Sequence, residues 1–373
     1  MVTIGRNPAD LRIASGSGQA GYRRSFEPVA FGSMASATGS VRVVFWNTWL
    51  LRPRLWSGGP SLPLTDHLFA PDVTRRAPLV GQALSGRFDV CALAEVFDQR
   101  EQDAVACQWD EVEFQPGPGP ASALKRVGSG LMTLVDPLAL EVVSTATHTF
   151  TSGGDLRDSD SYATKGVLFV RVRLPGGAEL DLASTHLLAG GEFLPIPGAG
   201  DHARHHRGRM AQVDELVEFV SQHRNQENPL LVVGDFNVAA HDRRLRGDTG
   251  AYHRDLVEHL APLDVVDVWE ERGIGPGPTA TFADPRSIPS DPALPDCVVD
   301  HPDSDPTAQA AARASGDRID YIWYSPPWRR ARTKVELDRP RRWAFPGRGV
   351  RGGPAGSLSD HLAVSVTVHL QRR

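Results

Sequence analysis

From residue 41 onward the chain alternates short runs dense in Val, Leu and Ile with longer stretches in which apolar residues recur every three or four positions. That alternation commits it to a layered α/β fold. The apolar runs predict strands over 41–46, 89–93, 131–135, 166–172, 179–184, 230–233, 319–324 and 362–368. Unbroken runs of this kind suit strands covered by other layers. The helical spacing predicts helices over 72–84, 99–108, 204–223 and 252–260. In the third, Met210, Val213, Leu216, Val217 and Val220 mark one face that must pack on a sheet.

A chain of 373 residues, 40% of them hydrophobic, can bury one large core or two smaller ones. We expect one domain over 41–373, interrupted by a Pro/Gly connector at 116–120 and a long insertion at 284–316. The insertion is rich in Pro, Asp, Ala and Ser with almost no apolar period, so a partly disordered loop or a lid is expected there. Residues 1–40 carry Arg6, Arg12, Arg23 and Arg24 among Gly, Ser and Ala, without the apolar middle of a secretory signal. Asp10 and Glu27 argue against a transit peptide, which leaves a disordered extension, with Met34 as an alternative start. No run has the length of a membrane-crossing helix, and a cytoplasmic location is expected. Three cysteines make no disulfide framework, and Cys91, in an apolar stretch, reads as a plain buried thiol. The net charge of -5 gives no general pull toward nucleic acid.

Polar groups collect where the predicted strands end. Leu230 to Val233 run into Gly234-Asp235-Phe236-Asn237, a carboxylate and a carboxamide two residues apart at a sheet rim. Asn47, Glu95, His186 and Asp320 fall at other strand boundaries, and Asp360-His361 open the last strand. Phosphate-ester hydrolysis needs this inventory: oxygen ligands for a hard divalent ion, a base for water, and donors for charge growing on phosphorus. Taken singly, Asn47 and Asn237 also suit turns, Asp360 a cap and His186 a hydrogen-bonded core histidine. His205-His206, between Arg204 and Arg207, reads as a solvated basic face rather than a zinc site.

In their order, Asn47, Ala94-Glu95-Val96-Phe97-Asp98, Thr185-His186, Gly234-Asp235-Phe236-Asn237, Arg318-Ile319-Asp320-Tyr321 and Ser359-Asp360-His361 resemble the motifs of the endonuclease/exonuclease/phosphatase superfamily. The resemblance implies a four-layer α/β/β/α sandwich, two packed mixed sheets flanked by helices. It also implies magnesium, with manganese as a substitute, bound by Glu95 and Asn47. By the same resemblance His361 activates water with Asp320 as carboxylate partner, and Asp235 orients that water or binds metal. Asn237 and His186 hydrogen-bond phosphoryl oxygens, Asp360 completes the environment, and water attacks in line without a covalent intermediate.

Abasic-site nucleases of the superfamily carry an acidic residue where this chain has Trp49. Asn47-Thr48-Trp49-Leu50-Leu51, Glu95-Val96-Phe97-Asp98, Lys165-Gly166-Val167-Leu168-Phe169 and Ser184-Thr185-His186-Leu187 look instead like the neutral sphingomyelinases. That resemblance implies cleavage of a phospholipid such as sphingomyelin to phosphocholine and a lipid product, and makes Lys165 a phosphate contact or loop anchor. A snorkelling strand-edge lysine is the plain alternative. The run Trp49, Leu50, Leu51, Leu55 and Trp56 either touches a membrane surface or fills the gap between sheet and loop. The basic segment 329–351 suits phospholipid headgroups, inositol phosphates or a nucleic-acid backbone, or is simply solvated. Three readings follow: a phospholipid phosphodiesterase, a nuclease or phosphatase for soluble esters using the same residues, and a non-catalytic binding module. No protein partner is expected.

Overall fold

A computed structural model describes residues 2–5, 38–52, 70–120, 127–152, 163–190, 201–281, 290–291, 293–298, 300, 306–327, 333–352 and 357–372. In chain order the strands are β1 (Val2–Gly5), β2 (Thr38–Leu50), β3 (Val90–Val96), β4 (Glu111–Pro116), β5 (Met132–Val135), β6 (Glu141–Thr149), β7 (Gly166–Arg173), β8 (Glu179–His186) and β9 (Leu230–Asp235). There follow β10 (Val266–Asp267), β11 (Ala280–Thr281), β12 (Ser290–Asp291), β13 (Leu294–Val298), β14 (Gly316–Asp317), β15 (Asp320–Ser325), β16 (Thr333–Leu337), β17 (Arg341–Trp343) and β18 (Ala363–Arg372). The α-helices are α1 (Val73–Leu84), α2 (Gln99–Ala106), α3 (His202–His223), α4 (Ala251–Leu260), α5 (Val268–Arg272) and α6 (Pro306–Ser315).

Two mixed sheets result. The larger runs β1-β4-β5-β3-β2-β18-β17-β13-β12, with β16 also on β18; the smaller runs β10-β15-β9-β8-β7-β6. Pairing is parallel between β2 and β3 and between β8 and β9. Period-two alternation then sorts the side chains into three buried layers. Val43 and Phe45 of β2 meet Leu168, Val170, Leu231 and Val233 between the sheets. Val44 and Trp46, one residue out of step, face Val73, Ala77, Val80 and Leu84 of α1. On the far side Phe169, Ala183, Val232 and Trp323 meet Met210, Val213, Leu216 and Val220 of α3 and Leu256 of α4. The sheets are thus flanked by helices in the expected four layers, and burial on both faces is why the strands read as unbroken apolar runs. Each fully buried Val or Leu contributes about 1.5–3 kcal/mol.

Differences from expectation have physical causes. β4 and β6 escaped because neither carries a dense apolar run; β6 is an edge strand with Glu141, Ser144 and Thr145 exposed. The 284–316 insertion, expected to lack structure, carries β13, joined to β17 at Cys297–Trp343, and α6, whose alanines favour helix without any apolar stripe. Its remaining residues lie partly outside those described. The expected disorder of 1–40 fails at Val2–Gly5, which pairs antiparallel with β4, and at residues 38–40, which begin β2; the rest lies outside the described residues.

His205 and His206 are buried rather than solvated. His206 stacks on Tyr252 and sits 2.6 Å from Asp255, because the first turns of α3 pack on α4. The basic segment is not uniformly solvated either. Arg342 is buried, pairs with Asp300 and donates to the Pro278 carbonyl at 2.6 Å, whereas Arg339, Arg341 and Arg348 are exposed. Arg329, Arg330 and Arg332 lie outside the described residues. Among those described, no helix is long and apolar enough to cross a membrane.

Candidate active site

The topology brings one end of seven strands to a single rim. β2 and β3 run parallel, so Asn47 and Glu95 lie at the same end. β18 is antiparallel to β2, pairing Val364 with Phe45, which puts His361 at that end as well. In the smaller sheet, parallel pairing sets His186 opposite Asp235, and antiparallel neighbours add Asp320 opposite Asp235 and Gly166, preceded by Lys165, opposite His186. All nine residues singled out from the sequence therefore gather between the two sheets.

Three non-glycine residues here take left-handed backbone: Glu95 at φ 61°, Asn237 at φ 53° and Trp49 at φ 50°. Left-handed backbone costs a side-chain-bearing residue energy and clusters at functional sites. At Trp49 it accompanies a bulge in β2 between Asn47 and Leu50. Asn47 Oδ1 accepts from Trp49 N at 3.1 Å, while Nδ2 donates to Glu95 Oε1 at 3.1 Å and to Asp235 Oδ2 at 2.9 Å. The amide thus bridges carboxylates from the two sheets and faces them with its donor.

On the other side of Asp235, His361 Nε2 lies 3.9 Å from Oδ2, and His361 Nδ1 is 2.8 Å from Asp320 Oδ2. His186 Nε2 is 3.8 Å from Asp235 Oδ2 and 3.9 Å from Glu95 Oε1, with Lys165 Nζ 3.3 Å away. Lys165 is buried, not the snorkelling edge residue. Asn237 N donates to Asp235 Oδ1 at 2.9 Å, and its amide donates to the Leu187 carbonyl at 3.2 Å. Ser359 Oγ donates to the Asn47 carbonyl at 2.7 Å and accepts from His361 N at 3.1 Å. The Asp360–His361 segment is thereby fixed to the Asn47 strand end.

Burial and crowding shift these groups. Burial, then the charge of Asp360, pushes the Glu95 carboxyl up to about 7. Burial, then Asp320, pushes Asp235 up to about 6. His186 is held well below the usual imidazole range by burial and by Lys165. Burial alone would lower His361, but Asp320, hydrogen-bonded to it, with Asp360 and Asp235, raises it well above that range.

The donor set fits a hard divalent cation. Asp320 Oδ1 is buried and accepts no hydrogen bond. Ligand atoms of Asp235, Asp320 and His361 lie within 4.8 Å of one another, but His361 offers nitrogen and is already paired with Asp320, so the oxygen set left for a cation is Asp235 with Glu95 and Asn47. Glu95, held near neutrality by its surroundings, is a carboxylate whose ionisation a cation would favour. Oxygen ligands of this kind suit magnesium. A second cluster, His253, Asp267 and Glu270, is already compensated by Arg318, which donates to Asp267 at 2.5 Å, and carries no such argument.

Two supporting residues had not been singled out. Arg76, buried on α1, donates to the carbonyls of Thr48 (3.2 Å), Trp49 (2.6 Å), Pro71 (2.7 Å) and Leu358 (2.5 Å). It ties the loop after Asn47 to the segment before Ser359. Its one sequence signal is a basic residue on the helix face occupied by Val73, Ala77 and Val80. Thr279 has none.

Comparison with known proteins gives the family of the chain and structures similar in fold. Residues 44–361 match the Endonuclease/Exonuclease/phosphatase family. No curated protein matches the chain. Among solved structures, beta toxin from Staphylococcus aureus is similar in fold, with 17% identity and a TM-score of 0.55 over 87% of this chain and 99% of that one. A mutant of that toxin with bound magnesium ions gives 17% identity and 0.53 over 88% and 99%. Sphingomyelinase C from Streptomyces griseocarneus gives 16% identity and 0.52, also over 88% and 99%.

Proposed function

This chain belongs to the endonuclease/exonuclease/phosphatase family and is a hydrolase of phosphate esters, and from that premise we propose a magnesium-dependent phosphodiesterase that cleaves a phospholipid of the sphingomyelin kind. The catalytic unit is taken as 41–373. The observation that carries the reading is the His361–Asp320 pair, 2.8 Å apart, facing Asp235 and the Asn47-bridged Glu95 across the cleft.

His361, in its unprotonated form, takes the proton of the attacking water at Nε2, the nitrogen that faces Asp235; a cation held beside Asp235 would favour that form by offsetting the carboxylate charges that raise the imidazole. Asp320 at Nδ1 fixes the ring and stabilises the imidazolium that forms. Asp235, held by Asn47 and Asn237, orients that water. His186, kept neutral by burial and Lys165, donates to a phosphoryl oxygen, and the Lys165 ammonium beside it faces the same charge. Glu95 with Asp235 and Asn47 would hold the cation; for Asn47 this requires the side-chain oxygen that here accepts from Trp49. When bound, magnesium would supply a Lewis acid for the phosphoryl oxygens. Asp360 adds charge that favours both the cation and the imidazolium.

The phospholipid reading rests on the Lys165-Gly166 motif, on the Asn47 to Leu51 run and on the likeness to sphingomyelinase C. A soluble phosphate ester is the second reading, favoured by a specific observation. Leu50 is buried, and Trp49 and Leu51 pack against the core beneath α1, with the Arg76 guanidinium 5.3 Å from the Trp49 ring. The described part of the apolar run thus fills a gap rather than facing lipid; Leu55 and Trp56 lie outside the described residues. Phosphocholine release from sphingomyelin vesicles, with magnesium against chelator, separates the two. Release supports the phospholipid reading. Its absence from folded protein that cleaves soluble diesters transfers the assignment to the second.

A further inference from the structure

Asp320 and His361 come from different sheets, so their separation depends on how the sheets are registered at the rim. One short segment hydrogen-bonds both sides. Thr279 Oγ1 accepts from Ile319 N at 3.2 Å and from Asp320 N at 3.1 Å, holding the backbone of the smaller sheet where Asp320 begins β15. The Thr279 carbonyl accepts from Leu362 N at 2.8 Å, the residue after His361. Ala280 bridges His361 antiparallel, and Thr281 N donates to the Asp360 carbonyl at 3.0 Å.

The segment is itself anchored. β11 pairs with β14, where a side chain at Gly316 would strike the Ala280 carbonyl. The preceding Pro278 carbonyl accepts from buried Arg342. Thr279 is 1% exposed, so solvent does not compete for its hydroxyl.

We propose that Thr279 is a positioning residue that sets Asp320 against His361 across the two sheets. It touches no reacting atom and acts through the backbone of Asp320 on one side and of Leu362 on the other. The proposal rests on the reading of His361 and Asp320 as the base pair of the site. A hydroxyl is required because its oxygen accepts two N–H groups at once, which a methyl cannot do. Small displacements of such a pair are costly to rate.

The test compares Thr279→Val, Thr279→Ser and wild type in two readouts. The first is magnesium-supported hydrolysis of bis(4-nitrophenyl) phosphate. The expected result is a kcat lower by about tenfold in Thr279→Val with KM within about twofold, and recovery in Thr279→Ser. The second needs no activity: the downfield proton resonance of His361 Nδ1–H, assigned by its loss in His361→Ala. It should move upfield or vanish in Thr279→Val and persist in Thr279→Ser. A folded Thr279→Val with unchanged kcat and unchanged resonance overturns the proposal, as does a serine variant that behaves like the valine. Should the valine fail to fold, Thr279→Ala gives the same two readouts. A resonance that responds in a protein inert on phosphodiesters supports the positioning role while defeating the proposed function.

Discussion

Asp320 Oδ2 lies 2.8 Å from His361 Nδ1, although Asp320 begins a strand of the smaller sheet and His361 precedes one of the larger. The ring is thereby oriented with Nε2 toward Asp235, and in the proposed mechanism the gap between the sheets is where water would attack. Neither sheet alone holds a complete site: Asn47, Glu95, Asp360 and His361 come from one, and Lys165, His186, Asp235, Asn237 and Asp320 from the other.

Replacing Asp320 by Asn keeps the shape and removes the charge that stabilises the imidazolium. Activity on bis(4-nitrophenyl) phosphate should fall by about 10²-fold or more, and Asp320→Asn with His361→Ala should cost little more than His361→Ala alone. Steady-state kinetics on the single and double variants checks this. Additive losses would show that the two residues do not act as a unit.

The raised carboxyls make a pH prediction for the metal-free protein. Glu95 sits at about 7 against an ordinary 4.5, mainly through burial and next through Asp360, and Asp235 at about 6 against 3.8. Each folded value exceeds the unfolded one, so through this window the folded chain holds protons that the unfolded chain has released. These groups therefore subtract stability as pH rises through it. Metal-free Glu95→Gln should be more stable than wild type at about pH 8 and closely similar at about pH 4. Urea denaturation in chelator measures both, and equal stability at the higher pH would contradict the account.

Magnesium should raise the melting temperature of the wild type, more at about pH 8 than at about pH 6, because protons on Glu95 compete with the cation. Glu95→Gln should lose most of that rise. Thermal scans with and without magnesium test it; an undiminished rise in the variant would place the cation elsewhere.

Much of the candidate site was legible because its residues sit at strand ends, where an apolar run stops at Asn47, Glu95, His186 or Asp235. The helix faces were legible for the same reason of period. What stayed hidden depends on backbone partners that no side-chain pattern records. Thr279 acts through the N–H groups of Ile319 and Asp320, and Arg76 through four carbonyls. The burial of His205 and His206 was hidden too, since it requires knowing that α4 crosses the first turns of α3. β13 and α6 were missed because a five-residue strand broken by Pro295 and Asp296 and an alanine-rich helix carry little apolar periodicity.

Arg76 gives a stability prediction. Arg76→Met leaves carbonyls of Thr48, Trp49, Pro71 and Leu358 without this donor, at about 1–3 kcal/mol for each that stays buried and unpaired. Denaturant unfolding should show a loss of at least about 3 kcal/mol, and a neutral effect would mean that the loops hold without it.

Lys165→Met should let the His186 imidazole titrate closer to its ordinary range, since burial and the ammonium together hold it low. Histidine resonances followed against pH, with His186→Asn for assignment, give the shift. No movement would leave burial, with the smaller effect of His361, as the cause.

The most direct test of the central claim is hydrolysis of bis(4-nitrophenyl) phosphate by the purified chain, in magnesium and in chelator, beside folded His361→Ala. The account predicts release of 4-nitrophenol that requires magnesium and falls by about 10²-fold or more without the imidazole. Release that persists undiminished in His361→Ala, or none from folded wild type that binds magnesium, would contradict it.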